Sequence, residues 1–252
     1  MPPTLPIPIP SSPMVILTGA GISAESGIKT FREAGGLWEN HPIEAVATPQ
    51  GFANNPRLVW QFYHARREQL KTVSPNPAHH ALAQLQQTLG PDDVFLVTQN
   101  VDDLHQRGGS APQAVLHMHG ELRKVRCRRC GTVTETDAPM LPDPEGPLPT
   151  CFDTACGGAL RPHIVWFGEV PFGMDDIAAK LATCNMFVAI GTSGVVYPAA
   201  GFLAAAKHQG ATTLGFNLEP PENAELFDYF VQGPAGQTLP DWVDTVLETL
   251  AC

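Results

Sequence analysis

The sequence predicts an α/β fold: a doubly wound parallel sheet that carries a second, smaller domain. Three observations predict it. Short β-branched apolar runs at residues 14–17, 94–98, 186–190 and 212–216 read as buried strands, each ending in a small polar turn. Stretches with helical character separate them, the alternation of a parallel sheet. Two cysteine pairs, Cys127/Cys130 and Cys151/Cys156, interrupt the pattern once. They mark a zinc-ribbon module that, with a helical insertion, makes up the smaller domain.

The first strand leads into Gly19, Gly21 and Ala24, at the G-x-G-x-x-G/A spacing of a Rossmann-like turn. Small residues there permit a tight bend and let backbone N–H groups approach a pyrophosphate. A helix is expected from Ile22 onward, its N-terminus directed at the phosphates. The glycines alone suit a ligand-free strand-to-helix turn equally well. The acid that a dinucleotide dehydrogenase places about twenty positions on is missing. Glu39 and Glu44 lie among Trp38, Asn40, His41 and Pro42, which form no strand.

Gly35 and Gly36 end this region, and Pro49, Gly51 and Pro56 break residues 42–56 into short helices and loops. Residues 58–70 read as a helix with Trp60, Phe62, Tyr63 and Leu70 as its apolar surface. Asn76-Pro77 starts another over residues 78–89, with Leu82, Leu85 and Leu89 on one face. The second strand runs straight into Thr98-Gln99-Asn100-Val101-Asp102-Asp103-Leu104-His105. Residues just past the carboxyl end of a parallel strand line the ligand crevice. Asn100 or Asp102 also suits a helix N-cap, and the two roles are compatible. In Val115-Leu116-His117-Met118-His119-Gly120, the two histidines are expected to face opposite ways, only one of them toward a crevice. Gly120 leaves room for a ligand beside His119, which makes His119 the general-base candidate.

Cys127, Cys130, Cys151 and Cys156 supply four thiolates, enough for a tetrahedral zinc with no open position, so the metal is expected to be structural. Gly131 and Gly157-Gly158 permit the tight turns of such knuckles. The proline-rich residues 139–149 have no core of their own, so the module is expected to be stabilised mainly by metal. Cys184 reads as a buried core thiol, and Cys252 also lies outside the pattern. Residues 164–167 are extended and 175–182 helical. The third strand closes on Gly191-Thr192-Ser193, a second turn of phosphate-binding character. A helix follows over 196–209, and the fourth strand ends at Asn217-Leu218-Glu219, which offers carboxamide and carboxylate groups suited to binding a ribose. Residues 240–250 form a terminal amphipathic helix on Trp242, Val243, Val246, Leu247 and Leu250. The domains expected are thus 14–40, 93–122 and 163–252 for the sheet, 41–92 for the helical insertion and 123–162 for the zinc module. Residues 1–13, proline-rich and without a basic residue, are expected to be a disordered tail and no signal peptide.

The chain has 252 residues, long enough for a real core, and its 43% hydrophobic share is ordinary for a soluble globular protein. A formal net charge of −10 argues against non-specific nucleic-acid binding and suits basic partners such as lysine-rich segments. No apolar run reaches membrane-spanning length. Six cysteines without a secretion signal point to reduced thiols or a metal in a cytoplasmic protein. Nothing demands a second subunit, so a monomer is expected.

In order, Gly19-Ala20-Gly21-Ile22-Ser23 through Thr30-Phe31-Arg32, Thr98 to Asp102, His119-Gly120, the four cysteines, Gly191-Thr192-Ser193 and Asn217-Leu218-Glu219 resemble the sirtuin family of NAD-dependent protein lysine deacylases. The resemblance covers nearly the whole chain from Met14. Tyr63-His64-Ala65-Arg66 makes it most similar to the class III, bacterial CobB-type branch. Val101 stands where many members carry isoleucine.

The resemblance implies NAD as co-substrate and one structural zinc. Gly19, Ala20 and Gly21 would border the phosphates, with Phe31 and Arg32 helping to hold the cofactor. Gln99 and Asn100 would lie against the nicotinamide ribose and Asp102 near the carboxamide, with Val101 beside them. Gly191, Thr192, Ser193, Asn217, Leu218 and Glu219 would serve the adenosine half. The acyl-lysine carbonyl oxygen would attack the ribose as nicotinamide leaves, and His119 would then help deprotonate a ribose hydroxyl. Free lysine, nicotinamide and O-acyl-ADP-ribose would result. An extended peptide would lie as an added strand between Phe167-Gly168-Glu169 and Gly194-Val195-Val196-Tyr197, with Val165 and Phe167 lining the lysine tunnel. Tyr63 and Arg66, three apart on a helix, would converge on the terminal carboxylate of a succinyl or malonyl chain. Outside the family, that pair reads as a half-buried tyrosine beside a surface arginine.

Two other readings fit parts of the chain. A non-catalytic ADP-ribose or NAD sensor with a zinc-ribbon arm would have no use for His119, Asn100 and Asp102 together. A mono-ADP-ribosyltransferase would have no use for an acyl-directed Tyr63/Arg66 pair.

Overall fold

A computed structural model describes residues 12–29, 37–38, 41–141 and 143–250, with residues 37–38 described by their backbone alone. The tail over residues 1–11, Phe31, Arg32, Gly35, Gly36 and Cys252 lie outside these residues. Strand β1 (Met14–Thr18) is buried throughout, and a single helical turn, α1 (Gly21–Ala24), follows it. The longer helix expected there is therefore one turn, broken at Gly27, whose φ is +94°. A short antiparallel ribbon of β2 (Leu37–Trp38) and β3 (His41–Pro42) precedes α2 (Ile43–Val46), α3 (Pro49–Asn54) and α4 (Pro56–Leu70). Proline opens both α3 and α4, where its missing N–H is no loss, and the side chains of Thr48 and Asn55 accept from the first turns. Asn76 caps α5 (Pro77–Leu89) in a capping box completed by His79.

Then come β4 (Val94–Thr98), the one-turn α6 (Leu104–Arg107), β5 (Val115–His117), β6 (Gly120–Cys127), β7 (Val133–Glu135) and β8 (Leu160–Ile164). The chain finishes with α7 (Met174–Leu181), β9 (Met186–Ile190), α8 (Phe202–His208), β10 (Thr212–Asn217), β11 (Tyr229–Gln232) and α9 (Ala235–Leu250). Helix α9 starts before Pro240 and α8 starts later than expected, after a 3-10 turn at Ala199–Gly201. The extended segment at residues 164–167 belongs instead to the end of β8 and the turn beyond it.

Six strands form one parallel sheet in the order β11-β10-β9-β1-β4-β5. The first three in sequence run outward one way from β1, the last three the other way. That reversal between β1 and β9 is the switch point of a doubly wound sheet. Side chains alternate across the sheet. Met14 and Ile16 face a core under α5 and α9, whereas Val15 and Leu17 face one under α7 and α8.

A second sheet, β7-β6-β8, is antiparallel and small. It does not rest on metal alone. Val125, Cys127 and Leu160 share an apolar core with Trp60, Phe62 and Tyr63 of α4. Leu141, from the proline-rich segment, is buried in it. Arg67 of α4 donates to the Leu122 carbonyl at 2.7 Å and also to the carbonyls of Thr136 and Ala138. The cysteine module and the helical insertion are thus packed as one body. No described helix is long and apolar enough to cross a membrane.

Candidate active site

Two glycine turns meet at the switch point. Gly19 N–H donates to the Ile190 carbonyl at 2.9 Å and Gly21 N–H to the Gly191 carbonyl at 2.8 Å. A Cβ on Gly19 would lie 2.7 Å from the Gly191 oxygen, and one on Gly21 would lie 2.6 Å from the Gly191 Cα. The small residues are therefore required first by the contact between the turns. With α1 only one turn long, what this end of the sheet offers a ligand is turn backbone rather than the end of a long helix. Neither turn carries a carboxylate between residues 19–24 or 191–196, which suits an anionic phosphate.

A chain of hydrogen bonds joins the strand ends. Asn217 Nδ2 donates to the Thr192 carbonyl at 2.9 Å, and Gln99 Nε2 donates to Thr192 Oγ1 at 3.1 Å. The Gln99 carbonyl accepts from His119 Nδ1 at 3.0 Å. Four of the expected residues, from four segments, are thereby held together. A second cluster lies beside it: Asn100 Nδ2 donates to the Gly19 carbonyl at 3.1 Å and to Ser23 Oγ at 3.2 Å, while Ser23 donates to Asp102 Oδ2 at 3.0 Å. Asp102 Oδ1 also accepts the Leu104 N–H at the start of α6, although the N-cap position itself falls to Asp103, whose side chain makes no cap bond. Val101 is half-buried and packs on the core around α4.

The geometry fixes the state of His119. A carbonyl can only accept, so Nδ1 carries the proton and Nε2 is the basic nitrogen. Burial lowers the imidazole pKa below its usual 6.5, with the Gln99 bond opposing, and keeps the ring neutral near pH 7. His117 is also anchored, with Nδ1 on the Asn100 carbonyl at 3.1 Å and Nε2 against Gln106 at 2.6 Å, so both its nitrogens serve the fold. The two histidines do part, but not by strand alternation, which would put residues two apart on one face. Strand β5 ends at His117, and the turn that follows redirects His119. Gly120 at φ +84° makes that turn, and a Cβ there would lie 2.1 Å from the His163 carbonyl oxygen. Its bareness serves the approach of β6 to β8, not ligand space.

Asp102 is 5% exposed, and burial pushes its carboxyl up from 3.8 to about 6, against the lowering pull of Leu104 N–H and Ser23. Thr192, Ser193, Gly194 and Asn217 are half-buried, whereas Leu218 and Glu219 are exposed at the end of β10.

On the other side of His119, its carbonyl accepts from Val165 N–H at 2.9 Å, which puts the segment after β8 against this histidine. Phe167, Val195 and Tyr197 are 49%, 41% and 79% exposed, an apolar rim on the two segments expected to hold a peptide. Phe167 N–H is already given to the Ala47 carbonyl and Glu169 N–H to the Trp166 carbonyl, so pairing with that segment has fewer amides than expected. The Glu169 carboxylate is not presented to a substrate either: Arg161 holds it in two bonds of 2.6 and 2.9 Å, and Trp166 N–H adds a third at 2.8 Å. Tyr63 is buried on α4, not half-buried, and its hydroxyl accepts from Trp166 Nε1 at 2.9 Å. Burial raises its pKa, so the phenol stays protonated. Arg66 lies one turn on, half-buried, with its guanidinium 4.8 Å from the centre of the Phe62 ring.

The four cysteine sulfurs lie within 4.8 Å of one another, with Cys127–Cys156 at 3.7 Å and Cys130–Cys151 at 3.8 Å. A tetrahedron with Zn–S bonds of about 2.3 Å has edges of about 3.8 Å. The donor set and spacing fit zinc.

Sequence reasoning missed Ser23, which bridges Asn100 and Asp102, and the buried row in which Thr18 Oγ1 meets Thr98 Oγ1 at 2.8 Å and His105 Nε2 at 3.0 Å. Thr18 and Thr98 each end a strand, and that shared position was the available signal. It also missed Arg161, whose partner Glu169 lies eight residues on, and Trp166, whose partner Tyr63 is 103 positions away.

The Sir2 family model matches residues 19–198. An NAD-dependent protein deacylase of Salmonella typhimurium is 52% identical over 239 residues, covering 94% of this chain and 85% of the relative. One from Leishmania major is 53% identical over 238 residues, covering 93% and 96%. Among solved structures, a Sir2 homologue in complex with NAD is 39% identical with TM-score 0.83, covering 94% of this chain and 90% of that one. Another, bound to a myristoylated histone peptide, is 34% identical with TM-score 0.72, covering 94% and 92%.

Proposed function

The chain belongs to the Sir2 family, and from that premise we propose that it is an NAD-dependent protein-lysine deacylase whose general base is His119. The observation that carries the reading is the bond from His119 Nδ1 to the Gln99 carbonyl. It leaves Nε2 basic within a hydrogen-bonded chain that reaches Thr192 and Asn217 at the sheet's switch point.

The residues present fit NAD. The two carboxylate-free glycine turns would take the pyrophosphate, and Gln99, Asn100 and Asp102 the nicotinamide half. Thr192, Ser193, Asn217, Leu218 and Glu219 would take the adenosine half. Phe31, Arg32, Ala20 and Val101 keep the cofactor contacts assigned by resemblance. When bound, NAD would supply an electrophilic ribose carbon with nicotinamide as its leaving group, open to the amide oxygen of an acyl-lysine. His119 would take a ribose hydroxyl proton on Nε2, its ring held by the Gln99 carbonyl. Ser23, itself held by Asn100, fixes the Asp102 carboxylate, which would serve the nicotinamide carboxamide. Cys127, Cys130, Cys151 and Cys156 would hold a structural zinc, which takes no part in the chemistry.

The substrate would be an acyl-lysine protein or peptide, its backbone laid between the segments at 167–169 and 194–197. Val165 and Phe167 would flank the lysine stem. Removal of acetyl groups is joined by removal of succinyl and malonyl groups, whose carboxylate would meet Tyr63 and Arg66 at about 1.5–3 kcal/mol for each charge-assisted bond. A monomer acting in the cytoplasm, with no nucleic-acid or membrane partner, completes the reading, as does the division into sheet, helical insertion and zinc module.

Mass spectrometry of acetyl- and succinyl-lysine peptides with and without NAD tests this. Loss of the acyl group with formation of O-acyl-ADP-ribose is the expected result. A mass gain on protein would instead mean ADP-ribosyl transfer, and no turnover a sensor. A Tyr63→Phe, Arg66→Met variant should lose desuccinylation far more than deacetylation, and equal losses would refute the acyl pocket.

A further inference from the structure

We propose that Trp166 is a positioning residue for acyl selectivity, aiming the Tyr63 hydroxyl at the far end of the acyl chain through its indole N–H. This rests on the reading that Tyr63 and Arg66 receive an acyl carboxylate. Trp166 Nε1 donates to Tyr63 Oη at 2.9 Å, in the core around α4, where Trp166 is 2% and Tyr63 1% exposed. An indole N–H can only donate. The phenol oxygen is therefore held as acceptor on the indole side, and the phenol's own proton is directed away from Trp166.

Trp166 is itself fixed from three directions. The Arg161 guanidinium lies 3.5 Å over its ring, and the Phe52 ring packs at 5.2 Å. Its backbone N–H is bound to Glu169 Oε2, and Glu169 in turn is locked to Arg161. A cation against the face of the indole draws electron density from it and strengthens N–H donation at its edge. The ion pair Arg161–Glu169, whose arginine also holds the Ile164 carbonyl at 2.8 Å, becomes the base of a three-part support: ion pair, indole, phenol. An acetyl group has no carboxylate to meet a directed hydroxyl, so the support matters to acidic acyl chains and little to acetyl.

The test compares Trp166→Phe, Tyr63→Phe and the double variant, with kcat and KM for matched succinyl- and acetyl-lysine peptides. Removing one neutral donor should lower the succinyl-to-acetyl ratio of kcat/KM by about three- to tenfold, through a raised KM for the succinyl peptide. The double variant should fall no further in that ratio than Tyr63→Phe alone. If Tyr63→Phe lowers the ratio and Trp166→Phe does not, the pocket stands and the positioning role is refuted. Equal loss of both activities in Trp166→Phe means that the indole only packs, which also refutes it. If Tyr63→Phe itself leaves the ratio unchanged, the carboxylate reading fails and takes this proposal with it. Should Trp166→Phe fail to fold, the indole N–H proton resonance of Trp166 in the natural chain decides. Succinyl peptide should move it more than acetyl peptide does, and equal shifts overturn the proposal.

Discussion

Replacing Asp102 by asparagine should make the protein more stable and less active at the same time. The carboxyl titrates at 3.8 in an open chain and at about 6 when folded, because burial opposes its charge more than Ser23 and Leu104 N–H favour it. Below pH 3.8 it is protonated in both states. Between 3.8 and 6 the folded chain keeps a proton that the unfolded chain has released, so stability falls as pH rises through that window. The loss is complete above about 6. From these two values the charged carboxylate costs about 3 kcal/mol at pH 7.5 and about half of that at pH 5. Asparagine removes the charge and keeps the shape. Its Oδ1 still accepts from Leu104, and its Nδ2 can donate to Ser23, while the charge-assisted bonds that are lost are already counted in the net shift. The net gain is about 3 kcal/mol at pH 7.5, near 6 °C in Tm for a chain of this length, and about half as much at pH 5. Urea denaturation at the two pH values measures it, and turnover should fall about tenfold or more as the Ser23–Asn100 cluster loses its anion. A variant that is less stable at pH 7.5, or equally stabilised at both, would falsify the assignment of a buried charge to this position.

Three further outcomes are expected. Asparagine at His119 should cut kcat by about 10²–10⁴, and because burial lowers the imidazole pKa, the acid limb of kcat/KM in the natural chain should fall below pH 6.5. A limb above neutrality would point to another base. Alanine at Gly120 must adopt φ +84° and relieve a 2.1 Å contact with the His163 oxygen, so it should cost more than about 2 kcal/mol in denaturation and lower kcat in whatever remains folded. A fully active, stable Gly120→Ala chain would show that the turn is not under this constraint. Elemental analysis should find one zinc per chain, and Cys151→Ala should lose it with a drop in Tm, because the cysteine sheet shares its core with α4. Metal-free chain with unchanged melting would contradict this.

The strands of the parallel sheet were legible wherever an unbroken apolar run is buried on both faces, as in β1, β4 and β9. Strand β6 was not, because Glu121, Arg123, Lys124 and Arg126 mask its buried Leu122 and Val125. Strand β11 is four half-buried or exposed residues at the sheet edge, with too little burial to leave a pattern. The site residues on strand ends could be read because position in a parallel sheet predicts exposure to the crevice. The anchors behind them could not. Glu169 reads as a rim carboxylate until Arg161 is seen against it, and nothing local in the sequence couples Trp166 to a tyrosine 103 positions away. Likewise the proline-rich segment reads as coreless until Leu141 is found buried on α4's side of the molecule.

The bare contact among Gly19, Gly21 and Gly191 has a consequence for any attempt to recombine this chain with another. Gly191 belongs to the opposite wing of the sheet from Gly19 and Gly21; a methyl group on either of those two would need volume that Gly191 occupies, and one on Gly191 would need that of Gly21. A chimera that takes one wing from elsewhere must bring a turn as slim as the one it replaces, or the two wings cannot close on each other. The crossover for such a graft is therefore set by steric keying at the centre of the sheet, and the most permissive junctions lie out in the loops that cap the helices.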